Sequence, residues 1–174
     1  DFNVDGNAIE AYSCDGSPAL IVQMAYNILF RKQKPDLTVS GINYGENIGS
    51  NIHVSGTVGA AFEAASHGTP ALAFSKQTDI TSHYEYTEQD WHPSVFFVNR
   101  FANKILSEGF PENINVLKID IPAEANEKTK CEIAEIADQP YYQIFLDTPT
   151  LDSKIGDFQV CVEYDKDRLS KTSD

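Results

Sequence analysis

Basic residues are scarce in this sequence: 13 Lys and Arg stand against 26 Asp and Glu, a formal net charge of -13 over 174 residues. A protein that grips DNA or RNA neutralises phosphates with a basic face, so no nucleic acid polymer is expected as a partner. A small phosphorylated molecule stays within reach, because one backbone cradle or one metal ion can hold it locally. Most of the negative charge is read as serving solubility. Long apolar runs are also lacking. None approaches the ~20 residues needed to cross a bilayer, and no basic-then-apolar N-terminal segment suggests export. A soluble cytoplasmic protein with no membrane partner is expected. Cysteine is sparse and odd in number: Cys14, Cys131 and Cys161 lie far apart, with no CxxC pair or Cys/His cluster to make a zinc site. Cys161 sits in a strand-like alternation and reads as a small core residue, which fits a reducing compartment. No G-x-x-x-x-G-K-[ST] is present, which excludes a P-loop NTPase. Nucleophile elbow and HExxH are missing too.

What is present is one domain's worth of chain, 41% hydrophobic and 22% charged, enough to bury a core. A turn is expected at Asp5-Gly6 and a short strand over 8–13. Ser17-Pro18 is a good helix start, and the apolar spacing predicts a helix to about Phe30. Its expected core face carries Ile21, Met24, Ala25, Ile28 and Leu29. Pro35 stops it. Leu37, Thr38 and Val39 form a β-prone run, followed by a loop from Ile42 to Val54. Ser55-Gly56-Thr57 then opens a small-residue helix to about Gly68, and 71–74 reads as a buried strand. Strand, crossover helix and strand in this order predict a βαβ unit on a mainly parallel sheet. A loop with Tyr84 and Tyr86 follows. Next come a helix over 93–107, with Val95, Val98, Phe101, Ala102 and Ile105 inward, and a strand over 115–121. Beyond Pro122 the stretches 132–136, 141–146 and 158–164 are strand-like with no helix between them. The chain thus divides into an α/β core, 1–122, and a β-rich, hairpin-type extension, 123–174, within a single domain.

The chemistry concentrates between Ser40 and Thr57. Ligands of open α/β sheets bind beyond the carboxyl ends of the strands. There the helix opening at Ser55 offers free N–H groups and a positive dipole end, Gly56 admits a close approach, and two hydroxyls add donors. Ser-Gly-Thr alone reads equally as a helix N-cap. Asn43 carries a neutral oxygen suited to a hard divalent ion, while Asn47 and Asn51 suit Asx turns that tie the loop together. Glu46 and Glu63 have no sequence partner for acid/base work. His53 could touch a phosphate, though a structural role is favoured for it, as for His67. No catalytic residue is assigned.

The run DLTVSGINYGENIG, continuing as SGTVGAAFEAASHGTPALAFS, closely resembles the SurE family of survival-protein-E-type 5'/3'-nucleotidases. DGSPALIV and ILSEGFPENINVLKIDIP resemble it more weakly on either side. The resemblance implies an α/β, Rossmann-like three-layer core with a β-rich arm used in oligomerisation, as a homodimer or homotetramer. It implies a metal-dependent phosphomonoesterase, using Mg2+ or Mn2+, that hydrolyses nucleoside 5'- and 3'-monophosphates. By position, Asn43 matches the family's asparagine metal ligand, and Ser55, Gly56 and Thr57 match its phosphate-contacting residues.

The sequence departs from that pattern in four places. The family's opening strand with N-D-D-G, whose aspartates are its main metal ligands, has no counterpart here. An upstream serine ligand and the closing strand and helix are missing too. Ala19-Leu20 also replaces the family's Asp-Cys. The chain therefore reads as an interior part of a longer protein, expected by itself to bind metal weakly and hydrolyse little. The alternatives are a non-catalytic nucleotide- or phosphate-binding module and an oligomerisation fragment.

Overall fold

The computed structural model describes every residue except Asp1, Asp5, Tyr84 and the side chain of His83. The turn expected at Asp5-Gly6 and the Tyr84 of the expected loop therefore involve residues outside the description. A short antiparallel hairpin comes first, β1 (Phe2–Val4) against β2 (Asn7–Ile9), where a longer strand over 8–13 was expected. Helix α1 (Pro18–Ile28) follows, capped by the Ser17 hydroxyl, which accepts from the Leu20 N–H. Strand β3 (Thr38–Tyr44) leads through a loop and one short 3-10 turn into α2 (Gly56–Ser66), and β4 (Ala71–Lys76) comes next. Helix α3 (His92–Glu108) and β5 (Val116–Ile121) complete the core. The extension contributes β6 (Tyr142–Phe145) and β7 (Gln159–Val162), an antiparallel pair.

Strands β3, β4 and β5 form one parallel sheet with β4 in the middle. Every residue of β4 is buried, and its alternation assigns the two faces. Ala71 and Ala73 pack with Val58, Ala61 and Ala64 of α2 and Tyr26 of α1. Leu72 and Phe74 pack with Phe97 and Ile105 of α3 and with Ile121. Small side chains on α2 meet small side chains on β4, so helix and sheet approach closely on the side where the loop lies. The result is the expected three-layer α/β core.

Several expected details are corrected. The inward face of α1 is Val22 and Tyr26; Met24, Ile28 and Leu29 are exposed. Counting apolar side chains by size misplaced the stripe, because Tyr26 buries its ring and bonds through its hydroxyl to Thr38 Oγ1 at 3.2 Å. On α3, Phe97 and Ser94 are buried while Val95 is exposed. Strand β3 runs on to Tyr44, so Asn43 belongs to the strand end and not to the loop. The stretch 132–136 forms no strand; only Glu135 makes an isolated bridge, to Ser173. Cys161 is half-buried, and its thiol donates to the Gln143 carbonyl instead of packing in the core. No described helix is long and apolar enough to cross a membrane.

Candidate functional site

The carboxyl ends of the three parallel strands place one polar residue each in a row: Asn43 pairs in register with Ser75, and Ser75 with Asp120. The start of α2 lies beside the β3 end of that row. Ser55 caps the helix, its hydroxyl accepting from the Val58 N–H at 3.1 Å. The capping role weighed for it is thus satisfied in the geometry; Gly59 N–H donates to the Ser55 carbonyl at 2.9 Å, and the Gly56 and Thr57 N–H groups are left without an intrahelical acceptor. Thr57 donates its hydroxyl to Asn43 Oδ1 at 3.1 Å, while Asn43 Nδ2 donates to the Gly45 carbonyl at 2.7 Å. Ser40 Oγ, three residues back on β3, donates to the Thr57 carbonyl at 2.8 Å. Asn43, Ser55 and Thr57 therefore occupy one site, all half-buried.

Gly56 has a local reason to lack a side chain. A Cβ there would lie 2.8 Å from the ring of Pro18. The close neighbour seen at Gly56 is thus the start of α1, and the first turns of α1 and α2 stand side by side. Two capped helix starts meet, each with the positive end of its dipole.

The other polar residues of the loop do different work from that expected. Asn47 and Asn51 make no local Asx turn. Asn47 Nδ2 donates to Ser75 Oγ at 2.6 Å, and Asn51 Oδ1 accepts from the N–H groups of Tyr141 and Tyr142 at 2.6 and 2.8 Å. His53 is exposed, its Nδ1 2.6 Å from the Ser50 carbonyl. His67 stacks on Tyr26 with ring centres 4.6 Å apart and pairs with Glu63 at 3.2 Å. Each ring is engaged by its own surroundings, His53 by a local carbonyl and His67 by Tyr26 and Glu63. Glu46 is buried and accepts from the Thr78 N–H at 3.3 Å. Burial and then the facing Glu46 charge raise both neighbouring phenols, Tyr141 to about 12.

Sequence reasoning missed Lys118, Asp120 and Asp174. Lys118 and Asp120 stand two apart on β5, hence on one face, and together they hold the loop at Asn47. Two charges with strand spacing inside an otherwise apolar run were the available signal.

These residues do not suit a divalent ion. Asn43 offers one neutral oxygen, already engaged by Thr57, and among the described residues no group of three His, Cys, Asp or Glu is placed to hold a metal. A hard cation takes six or more oxygens, carboxylates among them, so the residues present do not make such a site.

The family model for "Survival protein SurE" matches residues 2–143. The chain belongs to the SurE family. A 5'-nucleotidase SurE of Thermococcus gammatolerans is 38% identical over 146 residues, which is 83% of this chain and 52% of that protein. One from Methanosarcina barkeri is 39% identical over 140 residues, 76% of this chain and 52% of its own length. This SurE chain thus spans about half the length of the curated relatives it matches. Among solved structures, the SurE protein from Aquifex aeolicus superposes with a TM-score of 0.67 at 26% identity, covering 91% of this chain and 61% of that one.

Proposed function

We propose that the whole protein is a nucleotidase that hydrolyses nucleoside 5'-monophosphates, and 3'-monophosphates as well, and that this chain holds the substrate's phosphate. The observation that carries the reading is the pairing of Thr57 with Asn43 at 3.1 Å beside the Ser55-capped start of α2. A phosphate seated there meets the Gly56 and Thr57 N–H groups, the Ser55 hydroxyl proton and two helix dipole ends, all of which favour negative charge. The names of the similar proteins from Thermococcus and Methanosarcina support the same substrate class. Preorganised donors of this kind stabilise the charge of a phosphoryl group as it is transferred.

The proposal for the whole protein includes a divalent cation, Mg2+ or Mn2+, to which this chain would bring only the Asn43 oxygen. It also includes self-association as a homodimer or homotetramer, supported by exposed apolar side chains on and around the β6–β7 arm: Ile144, Phe145, Leu151 and Ile155. A cytoplasmic location is part of it, with all three cysteines free thiols. A non-catalytic phosphate-binding module is the second reading, favoured by the poor fit of a hard cation to the described residues.

The test is phosphate release from AMP and 3'-AMP by the full-length protein, with and without Mg2+ or Mn2+. Turnover that falls about 10- to 100-fold in Ser55→Ala and in Thr57→Val is expected. Binding without turnover selects the module, and unchanged turnover in both variants sinks the assignment of the cradle.

A further inference from the structure

We infer that Lys118, Asp120 and Asp174 are positioning residues that fix the loop backbone at Asn47, so that docking of the C-terminal extension sets how tightly the site holds phosphate. The inference rests on the phosphate-binding reading above. Both backbone polar groups of Asn47 are gripped. Its N–H donates to Asp120 Oδ1 at 2.7 Å, and its carbonyl accepts from Lys118 Nζ at 2.8 Å. Its side chain is tied to Ser75, the register neighbour of Asn43. A shift of Asn47 therefore reaches the Asn43–Thr57 pair through one intervening residue.

The extension closes the network. An ammonium group has three protons, and Lys118 places them on Asn47 O, on Asp120 Oδ2 at 2.6 Å and on Asp174 Oδ2 at 2.9 Å. The other oxygen of Asp174 accepts from the Gly49 N–H at 3.1 Å, in the loop, and from the Ala137 N–H at 2.9 Å, in the extension. One carboxylate thus joins β5, loop and extension. The three side chains are only 18%, 19% and 9% exposed. Apolar residues of similar volume commonly stabilise such a place as well as buried charges do. They could not hold both the N–H and the C=O of one residue, so the charges serve geometry.

The experiment combines hydrogen exchange with kinetics on the full-length protein. Lys118→Met should speed exchange of the Asn47 and Gly49 amides at least tenfold while amides of α3 keep their rates. KM for AMP and the inhibition constant of inorganic phosphate should rise together about tenfold, with a smaller change in kcat. Lys118→Arg should restore most of both. Unchanged exchange and KM overturn the inference, as does exchange that quickens equally in α3. Should Lys118→Met not fold, the isosteric Asp174→Asn carries the test, with a change in the same direction expected and none overturning it. If the unaltered protein turns over no AMP, the proposed activity fails, while the exchange comparison still decides the clamp.

Discussion

The loop between β3 and α2 is held by opposite means at its two ends. Near α2 the partners are close in sequence: Ser55 caps Val58 three residues on, His53 meets Ser50 three back, and Thr57 reaches Asn43 across fourteen. Nearer β3, from Asn47 as far as Asn51, they are remote, Asn51 being held by Tyr141 and Tyr142. Asn47 is held by residues 28, 71 and 73 positions away, and Gly49 by one 125 away. The near end can form once a helix starts at Ser55. The far end exists only when β4, β5 and the extension are all in place. Substrate contacts thus rest on a locally determined helix start, whereas loop shape reports on the completeness of the fold.

The largest expected effect comes from breaking the remote end. Lys118→Ala leaves Asp120 and Asp174 as two mostly buried carboxylates without their cation, a loss of about 3 kcal/mol. Urea denaturation of the full-length protein should register it as a lower midpoint, and a loss under ~1 kcal/mol would place the network at the surface in energetic terms. Gly49→Ala comes next. Gly49 has φ +58, and a Cβ would collide with the Gln139 carbonyl of the extension. The Ser50 N–H donates to that same carbonyl at 3.0 Å. A loss of about 2 kcal/mol is expected, along with faster proteolysis within 123–174. Intact resistance there would show that loop and extension fold independently.

The same division explains what could be read in advance. The α/β core, the capped start at Ser55 and the grouping of Asn43 with Thr57 were legible because each rests on local spacing or on a contiguous stretch. The inward face of α1 was misjudged because Tyr26 buries a ring and Met24 does not, a choice made by the neighbouring Ala61 and Ala64. Asn47 and Asn51 were assigned local turns, yet both bond to remote segments, since a short amide serves either use. The grip of Lys118 and Asp120 on the loop depends on the register of β5 against β4, which a linear pattern does not contain.

A smaller stability effect is expected at the near end. Ser55→Ala removes the cap of α2 and costs about 1 kcal/mol, measured as a shift in thermal midpoint. Ser55→Asp keeps a cap and should recover that stability. It should not recover phosphate binding, because its charge repels the ligand. If Ser55→Asp binds inorganic phosphate as well as the unaltered protein, the capping oxygen lies outside the cradle, and the two roles of this end are separable.

The smallest effect is a pH dependence that belongs to the remote end alone. Burial raises the Asp120 carboxyl above the ordinary aspartate value, while Lys118 pulls against it. The unfolded chain releases that proton near the usual aspartate value of about 3.9, and the folded chain releases it at higher pH. Between those two values the folded state binds more protons than the unfolded state. Stability from this group is therefore complete below the unfolded value and declines as pH rises through the folded one. Other carboxylates contribute their own slopes, so the measurement is a difference: urea denaturation of the unaltered protein and of Asp120→Asn at several values from pH 4 to pH 7. The unaltered protein's advantage over the variant should shrink as pH rises through that window and then level off. A difference that grows with pH instead would mean that Lys118 outweighs burial at Asp120, making the far end of the loop an ordinary stabilising ion pair.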